Sequence, residues 1–271
     1  MLASPAPGVS SPRRETLLCI HGSAASGRCW NPVAAALAAR FDVATPDRFG
    51  CVRGVHWSAG IPASFEVEAR HLASHLCDAP QGAHVLAHSY GAAVALELAL
   101  RWPHLVRSLT LYEPARFALL VDDPDATEAR EEILRIGGRV SQWVRAGRAG
   151  DAAALFVNYW SGAAAWDALD ERQRHVVLAC MPKVAVEFDA AFADRTPRPR
   201  FARLAMPVRL LRGSESPAPT RRIVDVLAGL LPRVDVVDLP GLGHMGPVTH
   251  AQELIENLPG WLRPADWRLA A

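Results

Sequence analysis

The sequence predicts an α/β fold: one mostly parallel sheet of about six strands, flanked by helices and interrupted once by a helical insertion. Three observations carry this expectation. Short apolar runs of strand type alternate with longer helical stretches. The runs lack strict apolar–polar alternation, the mark of strands covered on both faces. The stretches between them are long enough for crossovers, which parallel pairing requires.

In chain order, residues 1–14 are expected to be a flexible tail, with no continuous apolar segment. Arg13 and Arg14 are not followed by a run long enough for a twin-arginine signal. The first strand is expected at "TLLCI" (16–20), followed by a helix over 31–40 and a second strand at "FDVATP" (41–46). A helix over 64–77 leads to a third strand at "AHVLAH" (83–88). A helix over 91–101 then leads to a fourth at "SLTLYE" (108–113). Between Glu113 and Val208 no strand signal appears and the composition is helical. Asp125 and Asp151 are read as helix starts there, and Pro197 and Pro199 close the segment. The sheet resumes at "VRLLRG" (208–213) and "VDVVDL" (234–239), with helices over 219–231 and 250–262. The expected organisation is a core of 15–115 and 203–265, a helical cap of 116–202 and a C-terminal tail of 266–271.

The totals bound the function. The chain has 271 residues, half of them apolar and 21% charged, a globular composition. A formal net charge of +1 makes no electrostatic case for nucleic acid or a membrane surface. Nearly all positive charge is arginine, Lys183 being the single lysine, which reads as coding bias. Cys19, Cys29, Cys51, Cys77 and Cys180 show no paired spacing, which suggests a reducing, cytoplasmic home. No stretch approaches the roughly 20 apolar residues of a membrane span.

The chemistry begins at "VLAHSYGAAVALELAL" (85–100). Ser89 sits where the third strand must turn sharply into a helix, with the small residues Ala87 and Gly91 two positions to either side. That is the nucleophile-elbow pattern, here A-H-S-Y-G in place of G-x-S-x-G. The competing reading is a serine that merely caps the helix. "CIHGS" ends the first strand, and "GLGHMGPVTH" places His244 in a glycine-rich loop after the last. A histidine in such a loop is poorly explained as core filler.

With "HGS", "AHSYG" and "GHMGP" in this order, the chain resembles the α/β-hydrolase fold superfamily over roughly 15–263. The resemblance implies a Ser–acid–His triad, a helical cap where the insertion lies, and a sheet trimmed of the two strands that usually precede "HG". In most of the family the acid is an aspartate in the loop after the strand that here reads "VRLLRG". The matching position is Ser216, which cannot carry the charge, with Glu215 beside it. Some haloalkane dehalogenases instead place the acid at the end of the strand next to the nucleophile's. Glu113 stands there, and a carboxylate ending an apolar strand needs a partner. Glu113 is therefore preferred and Glu215 is the alternative, with Asp122 a further carboxylate should both fail.

The implied mechanism makes Ser89 the nucleophile and His244 the base, with backbone N–H groups of Ser23 and Tyr90 holding the oxyanion. The expected substrate is a small apolar acyl compound: a carboxylic ester, thioester or lactone. A C–C bond hydrolase or acyltransferase would use the same residues. Dehalogenases and epoxide hydrolases are disfavoured because they use aspartate as nucleophile. The other class is a non-catalytic ligand-binding protein on this fold, favoured by the missing aspartate. No cofactor or metal is implied, and nothing reads out an oligomeric state. His71 and His75 have i,i+4 spacing but no third ligand, so a solvated or capping role is expected. Asp47 is read as structural and His88 as a packing residue. Trp143, Phe156, Tyr159, Trp160, Trp166 and Phe188 are expected to form mostly cap core, a minority lining an apolar pocket.

Overall fold

The computed structural model describes residues 14–50, 63–77, 79, 81–121 and 123–262. The expected tails therefore lie outside the described residues apart from Arg14, as do Cys51, Asp122 and the last core positions 263–265.

Six strands pair in parallel: β1 (Glu15–Ile20), β2 (Phe41–Ala44), β3 (Ala83–His88), β4 (Val106–Tyr112), β5 (Val208–Gly213) and β6 (Val234–Leu239). Their order is β2-β1-β3-β4-β5-β6. The crossovers carry α1 (Asn31–Leu37), α2 (Phe65–Ala73), α3 (Tyr90–Arg101) and, between β4 and β5, α4 (Thr127–Arg145), α5 (Ala149–Ser161) and α6 (Glu171–Ala193). α7 (Ala218–Leu230) joins β5 to β6, and the short α8 (Gly246–Thr249) leads into α9 (Ala251–Trp261). No described helix is long and apolar enough to cross a membrane.

The non-alternating strands are apolar on both sides because both sheet faces are covered. Leu18, Ile20, Val85, Ala87, Leu109 and Leu111 face a core shared with α2, α3, α7 and the insertion. Leu17, Cys19, Leu86 and Leu211 face a second core closed by α1 and α9. Every residue of β3 is buried, as is α3 from Tyr90 to Ala99. The alanines of α3 allow this helix to lie close on the central strands. Its one buried charge, Glu97, is held by Arg101 at 2.6 Å and Arg116 at 2.9 Å.

Several expected boundaries shift. β2 stops at Ala44, and the helix read over 64–77 ends at Ala73 with a 3-10 turn to Leu76. β4 starts at Val106, where pairing with Ala83 already begins, and ends before Glu113. The two expected helix starts in the insertion are corrected. Asp125 lies in a 3-10 turn capped by Asp123, ahead of α4. Asp151 lies inside the first turn of α5, where it accepts from Arg148 Nε at 2.7 Å rather than from the backbone. The insertion's capping box belongs to α6, between Asp170 and Gln173.

Candidate active site

The chain leaves β1 toward β2 on one side and returns to β3 on the other. The strand order thus reverses between β1 and β3, and in open parallel sheets the crevice beyond the strands' C-terminal ends at such a point receives ligands. Ser89 follows β3 directly. Its backbone has φ 55° and ψ −123°, a conformation that costs about 1–3 kcal/mol and needs support from its surroundings. The support is visible: Ser89 N–H donates to Tyr112 O at 2.9 Å, and Ser89 O accepts from Ala92, Ala93 and Ala115. The side chain makes no capping bond to α3, so the hydroxyl does not serve as a helix cap.

Gly91 lets α3 start this close to β1. A Cβ there would lie 2.8 Å from Ile20 O and nearer still to His21 O. Both are backbone atoms that cannot swing away. Gly91→Ala is expected to destabilise the protein by about 1–3 kcal/mol in urea unfolding, the range for overpacked positions.

His244 follows β6, in a loop pinned by the neighbouring strand ends. Tyr112 Oη donates to Gly243 O at 2.6 Å, and His88 Nε2 bonds His244 O at 2.9 Å. His244 Nε2 lies 3.0 Å from Ser89 Oγ, and its Nδ1 lies 2.6 Å from Glu113 Oε2. The second carboxylate oxygen of Glu113 accepts from Gly213 N–H at 2.8 Å. Ser89, His244 and Glu113 are respectively 7%, 2% and 0% exposed, so the chain of contacts is shielded from water. Burial pushes the Glu113 carboxyl up, but bonding and charge from His244, with Ser216 and the Gly213 N–H, bring it below its ordinary value. Glu113 is thus an anion facing the imidazole. The alternative acid does not reach the histidine: Glu215 is exposed and accepts from Ser214 Oγ at 3.2 Å. Ser216 is buried close to Gly213. A hydroxyl against an imidazole whose other nitrogen meets a buried carboxylate can form a nucleophile at neutral pH.

Ser23 and Tyr90 line the same cavity as Ser89. Tyr90 is the first residue of α3, where backbone N–H groups have no helical partner. The loop after β1 passes close by, a Cβ on Gly22 falling 3.2 Å from Ser89 Cβ. Arg48 fixes that loop. Its Nε donates to His21 O and its Nη2 to Gly22 O, both at 3.0 Å, while its backbone N–H donates to His21 Nε2 at 3.1 Å. Burial and then the Arg48 charge push His21 down to about 3, so it remains a neutral acceptor.

Arg48 in turn belongs to a buried four-charge cluster with Glu68 of α2 and Lys183 and Glu187 of α6. The Tyr90 ring lies close to both cations, 4.9 Å from the Arg48 guanidinium and 5.7 Å from Lys183 Nζ. Sequence reasoning passes over these four residues; the single lysine in an arginine-rich chain is the one signal that points to them. Burial pushes the Glu187 carboxyl up, but Arg48, Lys183 and the Ser23 hydroxyl pull it down to about 2, against an ordinary value of 4.5. With the folded-state value depressed, the unfolded chain binds the extra proton. The associated stability is present above pH 4.5 and is lost as pH falls toward 2, about 3 kcal/mol in all. Urea unfolding between pH 6 and pH 3 is expected to show a steeper acid decline in the wild type than in Glu187→Gln.

A cavity of about 180 Å³ opens at Ser89 under α5 and α6. Of the aromatic residues singled out in the insertion, Phe156, Trp160 and Phe188 line it. Trp143, Tyr159 and Trp166 pack half-buried against the core instead. The Trp160 ring lies 4.2 Å from that of His244. Asp47 accepts from Gly27 N–H at 2.7 Å, a structural bond. His71 bonds Asp47 O at 3.1 Å and packs edge-on against His75. Among the described residues no group of three or more His, Cys, Asp or Glu side chains could hold a metal ion.

A model of the alpha/beta hydrolase family matches residues 17–257. Lipase LipV of Mycobacterium tuberculosis is 37% identical over 109 residues, which cover 40% of this chain and 40% of that protein. The chain spans only 35–40% of the length of the curated relatives it matches. Among solved structures, an alpha/beta hydrolase from Sphaerobacter thermophilus DSM 20745 superposes with a TM-score of 0.68 at 25% identity, covering 92% of this chain and 94% of that one. The enol-lactonase from Burkholderia xenovorans LB400 superposes with a TM-score of 0.74 over 92% of each chain. At 16% identity it shows a shared fold alone.

Proposed function

Because the chain belongs to the alpha/beta hydrolase family, we propose that it is a serine hydrolase that cleaves a carboxylic ester, thioester or lactone through an acyl-enzyme on Ser89. One observation carries this reading: the continuous contact from Ser89 Oγ through His244 to Glu113, at 3.0 and 2.6 Å. A non-catalytic binder on the same fold has no need of a buried carboxylate aimed at a histidine that faces the elbow hydroxyl. The aspartate missing after β5 ceases to favour a binder once Glu113 supplies the charge.

In the proposed reaction His244 Nε2 takes the proton from Ser89 Oγ as that oxygen bonds to the acyl carbon. The carbonyl electron pair moves onto its oxygen, which the backbone N–H groups of Tyr90 and Ser23 stabilise. Glu113 holds Nδ1–H and stabilises the imidazolium. The tetrahedral intermediate collapses, and the leaving group departs with the proton from His244. Water then attacks the acyl-enzyme with His244 again as base, releasing the acid and restoring Ser89. The insertion over 116–202 acts as the cap, its aromatic side chains receiving the apolar part of a small acyl substrate.

A fluorophosphonate probe tests the reading. Stoichiometric labelling that disappears in Ser89→Ala is the expected result, followed by turnover on a panel of short acyl esters. Absence of labelling in the folded wild type would favour the binder.

A further inference from the structure

The cavity at Ser89 is predominantly apolar, and among the described residues one acid stands in its wall. That residue is Glu187, contributed by α6 and 2% exposed. Its Oε1 accepts from Arg48 at 2.8 Å and Lys183 at 3.2 Å. Its Oε2 makes no hydrogen bond of full geometry among the described residues, and the one further donor that bears on the carboxylate is the Ser23 hydroxyl of the same cavity. An anionic oxygen shut away from water without a donor is unfavourable, and the unfavourable energy is relieved by any ligand that brings a donor. Tyr90 lines the same cavity, is equally buried, and its hydroxyl also has no partner. Burial, with the Glu187 and Glu68 charges, keeps that phenol protonated, so it can donate while Glu187 accepts. The cluster behind them is balanced, Arg48 and Lys183 against Glu68 and Glu187. No net negative charge is left to attract a cation.

We infer that the substrate is not a plain hydrocarbon ester but carries a neutral group that donates and accepts hydrogen bonds, a hydroxyl or a primary amide, seated against Glu187 and Tyr90. This rests on the serine-hydrolase reading and adds a polar pole to its otherwise apolar site. Glu187 acts here as a specificity residue: it takes no part in proton transfer at Ser89, and its effect is read in the choice between substrates. An apolar chain of the same length fills the cavity but leaves both groups unpaired.

The test uses two series of esters of matched length on the full chain. One varies the end of the acyl chain among methyl, hydroxyl and carbamoyl, with nitrophenol as leaving group. The other compares diol monoesters with simple alkyl esters. The wild type is expected to favour a hydroxyl- or carbamoyl-bearing member by about tenfold or more in kcat/KM at one chain length, the scale of a hydrogen bond to a charged acceptor. The two end groups separate the hydroxyl from the amide. In Lys183→Met/Glu187→Leu, which removes one charge of each sign, the ratio is expected to fall toward one. A ratio at or below one at every length in the wild type overturns the inference, as does a ratio unchanged in the folded double variant. Should the double variant not fold, the wild-type ratio and that of Glu187→Gln decide. Turnover without preference defeats only this inference, whereas no turnover and no labelling of Ser89 defeats the hydrolase reading itself.

Discussion

Ser89→Ala is expected to lower kcat on any ester the protein turns over by about 10⁶, and His244→Ala by a similar factor. The two substitutions fail together because the hydroxyl and the imidazole act as one unit: without the base the alcohol keeps its proton, and without the alcohol no bond forms to carbon. Stability is the control. The Ser89 hydroxyl makes no capping bond, and its backbone is held by Tyr112, Ala92, Ala93 and Ala115. Alanine can occupy the same strained φ at little further cost, so unfolding free energy should move by no more than about 0.5 kcal/mol. Loss of activity in a protein of unchanged stability isolates the chemistry. A Ser89→Ala enzyme with more than a hundredth of wild-type kcat would remove Ser89 from the mechanism.

The second large effect concerns the acid. Glu113→Gln is expected to lower kcat by about 10⁴, the scale seen when a triad carboxylate becomes an amide. The geometry explains why so conservative a change matters. Glu113 bonds Gly213 N–H through Oε1 and His244 Nδ1 through Oε2, with the Ser216 hydroxyl also acting on the carboxylate. Glutamine has one acceptor oxygen. If it keeps Gly213, its NH₂ faces Nδ1 and drives the imidazole to the tautomer that cannot accept the serine proton. If it keeps His244, Gly213 N–H is left buried without an acceptor, and the imidazolium has lost its counter-charge either way. Glu215→Gln, altering an exposed carboxylate that among the described residues bonds its neighbour's hydroxyl, should change kcat less than twofold. Steady-state kinetics on the two variants decide the matter: collapse in Glu215→Gln with Glu113→Gln intact would reverse the assignment.

The strands were legible because each is a local pattern. "AHVLAH" and "VRLLRG" lack the strict alternation of one-sided strands, and both form inner strands of the sheet. Ends were less legible, being set by partners elsewhere. β4 begins two residues early because Val106 pairs with Ala83 across the sheet. Asp151 resembled a helix start because aspartate favours that place, yet Arg148 takes its carboxylate. Ser89 and His244 stood out through the small residues around them, which mark tight turns irrespective of tertiary context. Glu113 needed more: its position could be argued from family variants, but its left-handed backbone, φ 46°, could not. The cluster of Arg48, Glu68, Lys183 and Glu187 was beyond local reading. Arg48 and Glu187 stand 139 residues apart, and nothing near either in the chain announces the other.

That cluster also decides which part of the roof can yield. Lifting α6 would part Lys183 and Glu187 from Arg48 and Glu68 in a place water does not reach, at a cost on the order of 3–5 kcal/mol for one uncompensated charge. α5 has weaker moorings: the Tyr159 hydroxyl on Glu132, an Asn158 bond to the Trp166 amide, and an exposed local pair of Arg148 with Asp151. Any opening of the roof that spares the buried charges would therefore have to come at α5, whose Trp160 ring lies 4.2 Å from that of His244.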